Sequence, residues 1–173
     1  MGKEVTSNSL EFSGIRVEIR TPVPFDDVLG RLRKLCGKTT VPEVVALAKE
    51  DITEQQYVSE VEKRFVGKSG FMLFGEIDHG GWIGKFGIKR RSLRWILGNP
   101  LIAITMIRHD ITAGLFAPVE LLLTESVDDD GCFLTYVRPS SLILIEENEE
   151  LEAAARALDK KFEALVSAAT KTV

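Results

Sequence analysis

The chain switches between the two-residue period of strands and the spacing of amphipathic helices. Ile15, Val17 and Ile19 alternate with charged residues, which predicts a strand with one solvent-exposed face. Residues 26–35 have acidic residues in the first turn and leucines at helical spacing, which predicts an amphipathic helix. Residues 1–10 are polar and unpatterned, so we expect a loose tail before the first strand.

The segment 37–66 changes pattern and predicts a helical insert. Thr40 is suited to cap a short helix that has Pro42 at an early position. Thr53 and Gln56 have the spacing of a capping box, which predicts the start of a second helix.

Residues 71–139 form a core region that contains most of the distinctive features. The apolar run 71–74 does not alternate, which predicts a strand buried on both faces. A second strand alternates around Trp95, and a helix at 101–107 is apolar nearly all round. Such a helix is normally buried, either in the core of its own chain or against a partner.

Two further elements complete the predicted fold. Residues 119–137 predict a β-hairpin around an acidic, glycine-ended turn, and residues 148–170 predict a long amphipathic helix. Strands and helices are mixed without regular alternation. We therefore predict one α+β domain over 1–173, with an antiparallel sheet packed against helices.

Composition narrows the classes of function. The 173 residues carry a net charge of -4, which argues against nucleic acid as a partner. No apolar run reaches about 18 residues, so we expect no membrane span and no membrane partner. The two cysteines have no metal-ligand spacing, and the first residues lack an apolar signal core, so we expect a cytoplasmic protein.

The order of motifs in residues 71–139 resembles the family called domain of unknown function 302. The matching pieces are Gly70-Phe71, Ile77-Asp78-His79, Gly98-Asn99-Pro100, Leu115 with Pro118, and Tyr136-Val137-Arg138-Pro139. Residues 15–35 also fit the opening of the family, whereas 37–66 departs from its shorter pattern. The resemblance implies an α+β domain similar to the TATA-box-binding-protein-like fold, often a dimer, and it implies no activity.

The two histidines are the first candidates for chemistry. Asp78 and His79 precede two glycines, where a ligand can approach the backbone, and imidazole can act as acid or base near neutral pH. His109 lies beside Asp110 at the end of the apolar helix, where a histidine also complements the helix dipole. Sequence spacing gives no direct support for a metal, so we predict no metal site, and the cofactor is unknown.

Five other side chains are candidates for binding a ligand, and four of them have a structural alternative. Asn99 either caps a helix or binds a ligand, and Arg138 either clamps an anion or forms a surface salt bridge. Glu120 either faces water or is an inward carboxylate with a raised pKa. Trp82 lines a pocket or belongs to the core, and Tyr136 is a candidate through the family motif.

A basic patch accompanies these candidates. Lys89, Arg90 and Arg91 follow one another, and Arg94 comes three residues later. The patch is either a solvated turn or a contact for an anionic ligand or partner.

Three hypotheses about function follow. The first is a domain that binds a small molecule near His79, with Asn99, His109 and Arg138 supplying polar contacts. The second is a cofactor-free lyase, isomerase or hydrolase in which His79 is the general base. The third is an interaction protein that forms a homodimer through the helix 101–107 or the insert 37–66.

Overall fold

The computed structural model of the protein describes residues 5–172. Seven helices and six strands are described in this range, together with the 3₁₀ segments Gly84–Phe86 and Ile111–Phe116. In chain order they are β1 (Arg16–Thr21), α1 (Phe25–Leu35), β2 (Gly37–Lys38), α2 (Val41–Ala48), α3 (Glu54–Arg64), β3 (Met72–Asp78), α4 (Gly80–Ile83), β4 (Ser92–Gly98), α5 (Pro100–Ile107), β5 (Val119–Glu125), β6 (Cys132–Val137), α6 (Pro139–Ile143) and α7 (Glu149–Thr170).

The six strands form one sheet in the order β1-β6-β5-β4-β3-β2. Neighbouring strands are antiparallel except the two-residue β2, which pairs with β3 in parallel. The predicted α+β class, with a largely antiparallel sheet packed against helices, is confirmed. The predicted hairpin is also confirmed as β5 and β6, and the predicted long helix as α7.

One face of the sheet is covered and the other is open. Trp95, Leu121, Leu134 and Tyr136 point to the covered face and form one buried core with α1 and α7. The alternate residues of β1, β4, β5 and β6 point to the open face, since strand side chains alternate between the two sides. No long helix lies over this second face among residues 5–172, and its side chains are half-buried or exposed.

The insert has the two predicted helices and a small core of its own. Thr40 and Thr53 both form complete capping boxes, with Glu43 and Gln56 as their partners. The apolar faces of α2 and α3 meet at a second buried cluster that reaches Met72 at the start of β3.

The prediction that residues 71–74 are buried on both faces is wrong. Met72 is buried, but Leu73 and Phe74 are half-buried, and the register shifts between Leu73 and Gly75. Among residues 5–172, only the two-residue β2 lies beyond β3, so this strand is close to the edge of the sheet and its open side meets solvent.

The apolar helix α5 is not enclosed by its own chain. Met106 is its buried residue, while Ile104 is 44% exposed. The first of the two alternatives for this helix, burial in its own core, is therefore wrong, and the alternative of a partner stays a prediction.

The structure describes part of the predicted tail. Residues 1–4 of the predicted tail lie outside the described residues, and residues 5–10 are exposed without regular structure.

No helix between residues 5 and 172 combines the length and the apolar character needed to cross a bilayer. A cytoplasmic location stays a prediction.

Candidate functional site

His79 lies between β3 and α4 without a catalytic partner. Its ring packs edge-to-face against Trp82, with centroids 6.0 Å apart, and its side chain forms no hydrogen bond with any residue from 5 to 172. The Asp78 carboxylate accepts the backbone N–H of Gly81 at 3.0 Å, so it closes the turn rather than orienting the imidazole. This arrangement offers no second polar group for acid/base work.

His109 lies in a different part of the molecule. It is exposed after the end of α5, in a groove that it shares with Leu10, Asn148 and Leu151. The neighbouring Asp110 accepts hydrogen bonds from Thr112, so it caps the 3₁₀ segment instead of holding the histidine. Within the described part of the chain, no group of three or more His, Cys, Asp or Glu side chains is placed to hold a metal ion.

Asn99 and Arg138 lie at the end of the sheet opposite to His79. Asp78 pairs with Leu93 and Met72 with Gly98, so about 17 Å of strand separates the two ends. Asn99 accepts the N–H of Leu101 at 2.8 Å and donates to the Gly70 carbonyl at 2.9 Å, so its side chain is used as a helix cap.

The predicted single pocket built from both histidines, Asn99 and Arg138 is therefore wrong. The Arg138 side chain is half-buried and forms no ion pair with a residue between 5 and 172. Its backbone links the strand end to the first strand, because its N–H donates to the Ile15 carbonyl at 2.8 Å. All four side chains lie in the motif region 71–139 of the sequence. In the structure, the length of β4 separates His79 from Asn99, and His109 follows the end of α5.

Both thiols are unsuited to nucleophilic chemistry near neutral pH. Burial raises the pKa of Cys36 and of Cys132 to about 11 in each case. The Cys132 thiol is fully buried and donates to the Val23 carbonyl at 3.4 Å. Since the thiolate is the reactive form, neither cysteine is a candidate nucleophile.

A groove on the open sheet face gathers polar and apolar groups in one place. This open-face groove has a volume of about 410 Å³, within the range of about 300–1,000 Å³ that is typical of ligand sites. Its floor is made by side chains of β1, β4, β5 and β6, and its walls come from the 3₁₀ segment Ile111–Phe116 and from α6. The residues that line it are Arg16, Arg94, Leu115, Phe116, Pro118, Val119, Glu120, Leu121, Leu122, Thr135, Tyr136, Val137, Pro139 and Leu142.

An ion pair occupies the floor of this groove. The Arg94 Nε donates to Glu120 Oε2 at 3.0 Å, and a second guanidinium nitrogen donates to Oε1. Both side chains are partly exposed among apolar neighbours. Arg16 lines the same groove from the edge strand β1, which β6 separates from the strand of Glu120. Its side chain is 72% exposed, and its ionic contact is Glu18 at 3.4 Å.

Glu120 therefore points to the open face, as alternation along the strand predicts, and it is paired with Arg94. Tyr136 is among the lining residues of the groove, but its ring does not point into it. Its ring lies on the covered face, 4.9 Å from Phe162, and burial raises the pKa of its phenol. Trp82 belongs to neither the core nor this groove, since it is exposed in the connection after β3.

Sequence reasoning did not single out Arg16 as a site residue, and it considered Arg94 for binding only together with the basic turn 89–91. The alternation around Trp95 placed Arg94 in a strand, and its pairing with Leu122 confirms that position in β4. The alternation of charged residues in β1 and β4 was the available signal. It could not say which charged positions would meet, because that depends on pairing through two intervening strands.

Two other concavities suit a ligand less well. A cleft beside Asn99, lined by Phe71, Phe74 and Met106 among others, has a volume of only about 200 Å³. A shallow groove of about 630 Å³ beside Asp78 is strongly charged. Most of its lining residues are charged, serine or glycine, so it offers little apolar surface for the body of a ligand.

The comparison with known proteins identifies the family. The sequence signature described as "Domain of unknown function DUF302" matches residues 38–169. The chain belongs to the DUF302 family. The match includes most of the insert 37–66, which therefore lies inside the range of the family, whereas 15–35 lies outside the match.

A solved DUF302 structure supports the fold. The chain is similar to the crystal structure of an uncharacterized conserved DUF302 protein from Bacillus stearothermophilus, with a TM-score of 0.60 and 13% identity. The similarity covers 89% of this chain and 97% of that chain. At this identity the likeness shows the fold alone. No curated protein matches the chain, so DUF302 membership brings no activity with it.

Proposed function

We propose that this DUF302 protein binds a small amphipathic anion in the open-face groove. The observation that carries the proposal is the Arg94–Glu120 pair on a largely apolar floor, with Arg16 lining the same groove from the edge strand. A guanidinium has five N–H donors, and Glu120 uses two contacts of Arg94, so donors remain for an anionic group.

The charges and walls of the groove favour this class of ligand. Two arginines, Arg16 and Arg94, and one carboxylate, Glu120, line the groove, while Glu18, the ionic contact of Arg16, lies outside its lining. Leu115, Phe116 and Leu142 supply an apolar surface for the body of the ligand. Small-molecule sites commonly combine such apolar walls with a few polar groups that fix the orientation. The proposed site lies on the open face and not beside His79.

The proposal predicts a specific loss of affinity in Arg16→Gln. The probe is 8-anilinonaphthalene-1-sulfonate, which has an aromatic body and one sulfonate, and NMR amide shifts would follow its binding. We expect shifts centred on 115–122 and 135–142, and a dissociation constant raised about fivefold in the variant, or about 1 kcal/mol. The loss is modest because Arg16 is exposed.

A matched control lies on the same strand and the same face. Arg20 pairs with Asp129 and does not line the groove, so Arg20→Gln should bind the probe as the unchanged protein does. Equal losses in both variants, or shifts centred outside the groove, would contradict the proposal.

The exposed surface of α5 favours self-association as a second candidate function. Ile104 of α5 is exposed, as is Ile111 of the 3₁₀ segment that packs against this helix. Exposed apolar patches of this kind mark interaction sites. A homodimer through α5 would cover both side chains.

The measurement for self-association is sedimentation equilibrium. We expect twice the chain mass of 19.2 kDa for the unchanged protein and a shift toward the single-chain mass in Ile104→Glu. Val127 is exposed in the turn between β5 and β6, so Val127→Glu is the control that should keep the dimer. A single-chain mass for the unchanged protein at high concentration would remove this candidate.

A further inference from the structure

The connection between β3 and β4, residues 79–91, presents large apolar side chains to solvent. Trp82 and Ile88 are each 52% exposed, and Phe86 is 76% exposed. Eight of the nine residues from Gly81 to Lys89 are exposed, and the ninth is half-buried. We call this segment the β3–β4 loop. The described chain leaves its apolar side chains uncovered, and an exposed apolar cluster of this kind marks an interaction site.

The aromatic side chains of the loop are held in a defined arrangement. Trp82 packs edge-to-face against His79 on one side and against Phe86 on the other, with centroids 6.0 and 6.2 Å apart. The short helix α4 and the following 3₁₀ turn carry these rings, and the Asp78 carboxylate closes the first turn. The half-buried His79 ring thus packs against the exposed Trp82 ring, which in turn packs against Phe86.

The loop is positively charged in an acidic protein. Residues 79–91 contain Lys85, Lys89, Arg90 and Arg91 and no acidic residue, although the net charge of the chain is -4. Arg91 is paired with Asp26, but Lys85 and Lys89 form no ion pair with any residue in the range 5–172. The two lysines flank Phe86 closely in sequence and are free to meet an anionic surface.

We propose that the β3–β4 loop docks the protein on an anionic lipid surface. Trp82, Phe86 and Ile88 would enter the boundary between head groups and acyl chains, where tryptophan is especially suited because its ring is amphipathic. Lys85 and Lys89 would meet the lipid phosphates, with their apolar stems lying along the boundary. The expectation of no membrane partner considered spanning segments, and surface docking needs none.

The loop fits lipid better than nucleic acid. Trp82 and Phe86 meet at 87°, so they do not form the parallel platform on which successive bases stack. Three basic side chains of the loop, Lys85, Lys89 and Arg90, form no ion pair with a residue between 5 and 172, whereas binding to a phosphate backbone needs a wider basic face. A second copy of this chain fits less well too, because three side chains on one loop cover far less than the roughly 800 Å² per partner of a stable interface.

The fluorescence of Trp82 tests the proposal directly. The chain has two tryptophans, and Trp95 is buried in the core, so a change on adding vesicles reports on Trp82. We expect a blue shift and co-sedimentation with phosphatidylcholine vesicles that contain about 30% phosphatidylserine, and much weaker binding to pure phosphatidylcholine. Phe86→Ala should weaken the partition coefficient about tenfold, and Lys85→Gln about fivefold.

Gly84 offers a pair of variants that differ only in charge. It has helical backbone angles, and a Cβ at this position meets no atom within 4 Å, so both substitutions should leave the fold unchanged. Gly84→Asp should weaken vesicle binding at least about fivefold, whereas the similarly sized Gly84→Asn should bind as the unchanged protein does.

Three outcomes would overturn the proposal. One is the absence of a blue shift and of co-sedimentation with anionic vesicles at low salt. Another is binding to single-stranded DNA in preference to vesicles, which would assign the loop to nucleic acid. The third is a dimer that dissociates in Phe86→Ala, which would assign the loop to contact between copies of this chain. None of these outcomes bears on the open-face groove, which is tested by its own ligand.

Discussion

Gly37→Ala should destabilise the protein by about 3 kcal/mol or more, a large part of the stability of a typical domain. A Cβ on Gly37 would overlap the Phe65 carbonyl oxygen and lie 2.7 Å from the Phe65 carbonyl carbon and 2.8 Å from the Gly67 nitrogen. These are backbone atoms at the end of the insert and directly after it, so no side-chain rotation can relieve the overlap. The N–H groups of Gly37 and Gly67 both donate to the Phe71 carbonyl, at 2.9 and 3.0 Å. An added methyl group would therefore push the insert away from the sheet.

Thermal unfolding measures this effect against a matched glycine. For a chain of this size, about 3 kcal/mol corresponds to a fall in Tm of about 6–12 °C. Gly30 lies inside α1, and a Cβ there meets no atom within 4 Å, so Gly30→Ala should raise stability by about 1 kcal/mol. A Tm of Gly37→Ala equal to that of the unchanged protein would contradict the close approach of Gly37 to the backbone of Phe65 and Gly67.

Phe162→Ala should remove about 3–5 kcal/mol of stability through the cavity that it leaves. Phe162 is fully buried in α7, and its ring packs edge-to-face against Phe71 at 5.8 Å and against Tyr136 at 4.9 Å. It therefore joins the long helix to the start of β3 and to β6 at once. Aromatic pairs of this geometry contribute beyond their buried area, which makes this side chain a central contact of the core.

Urea unfolding provides the measurement, with Phe86→Ala as the control for the same chemical change at an exposed site. We expect a change within about 0.5 kcal/mol for the control, since Phe86 meets solvent. Phe162→Leu keeps most of the volume and should lose about 1.5 kcal/mol, which leaves a folded variant to measure if the alanine does not fold. Similar losses for Phe162→Ala and Phe86→Ala would contradict the assignment of Phe162 to the core.

Local signals explain which elements could be predicted. Thr40 and Thr53 cap their helices as their sequence spacing indicated, since a capping box is formed within four consecutive residues. Asn99 was left with two alternatives, and the contact of its amide with the Gly70 carbonyl supports the structural one. The short helices α4 and α6 were missed because four or five residues are too few to establish a helical period.

The candidate site was less predictable because its parts come from distant strands. The motifs that suggested one pocket around His79 lie at two ends of the sheet. Arg94, Glu120 and Arg16 share the open face through the pairing of β4 with β5 and of β1 with β6. Periodicity assigns each of these residues to a face of its own strand, but it does not state the order or the register of the strands.

The sequence by itself determined the α+β class, the family resemblance, the two threonine helix caps of the insert, the hairpin and the long helix, because each depends on contacts between near neighbours or on a local period. Only the tertiary structure decided that the sheet has an open face, that α5 keeps an exposed side and that the aromatic residues after β3 meet solvent. The physical reason is that burial depends on which distant surface covers a residue. The same apolar pattern can therefore serve as core in one place and as an exposed contact surface in another.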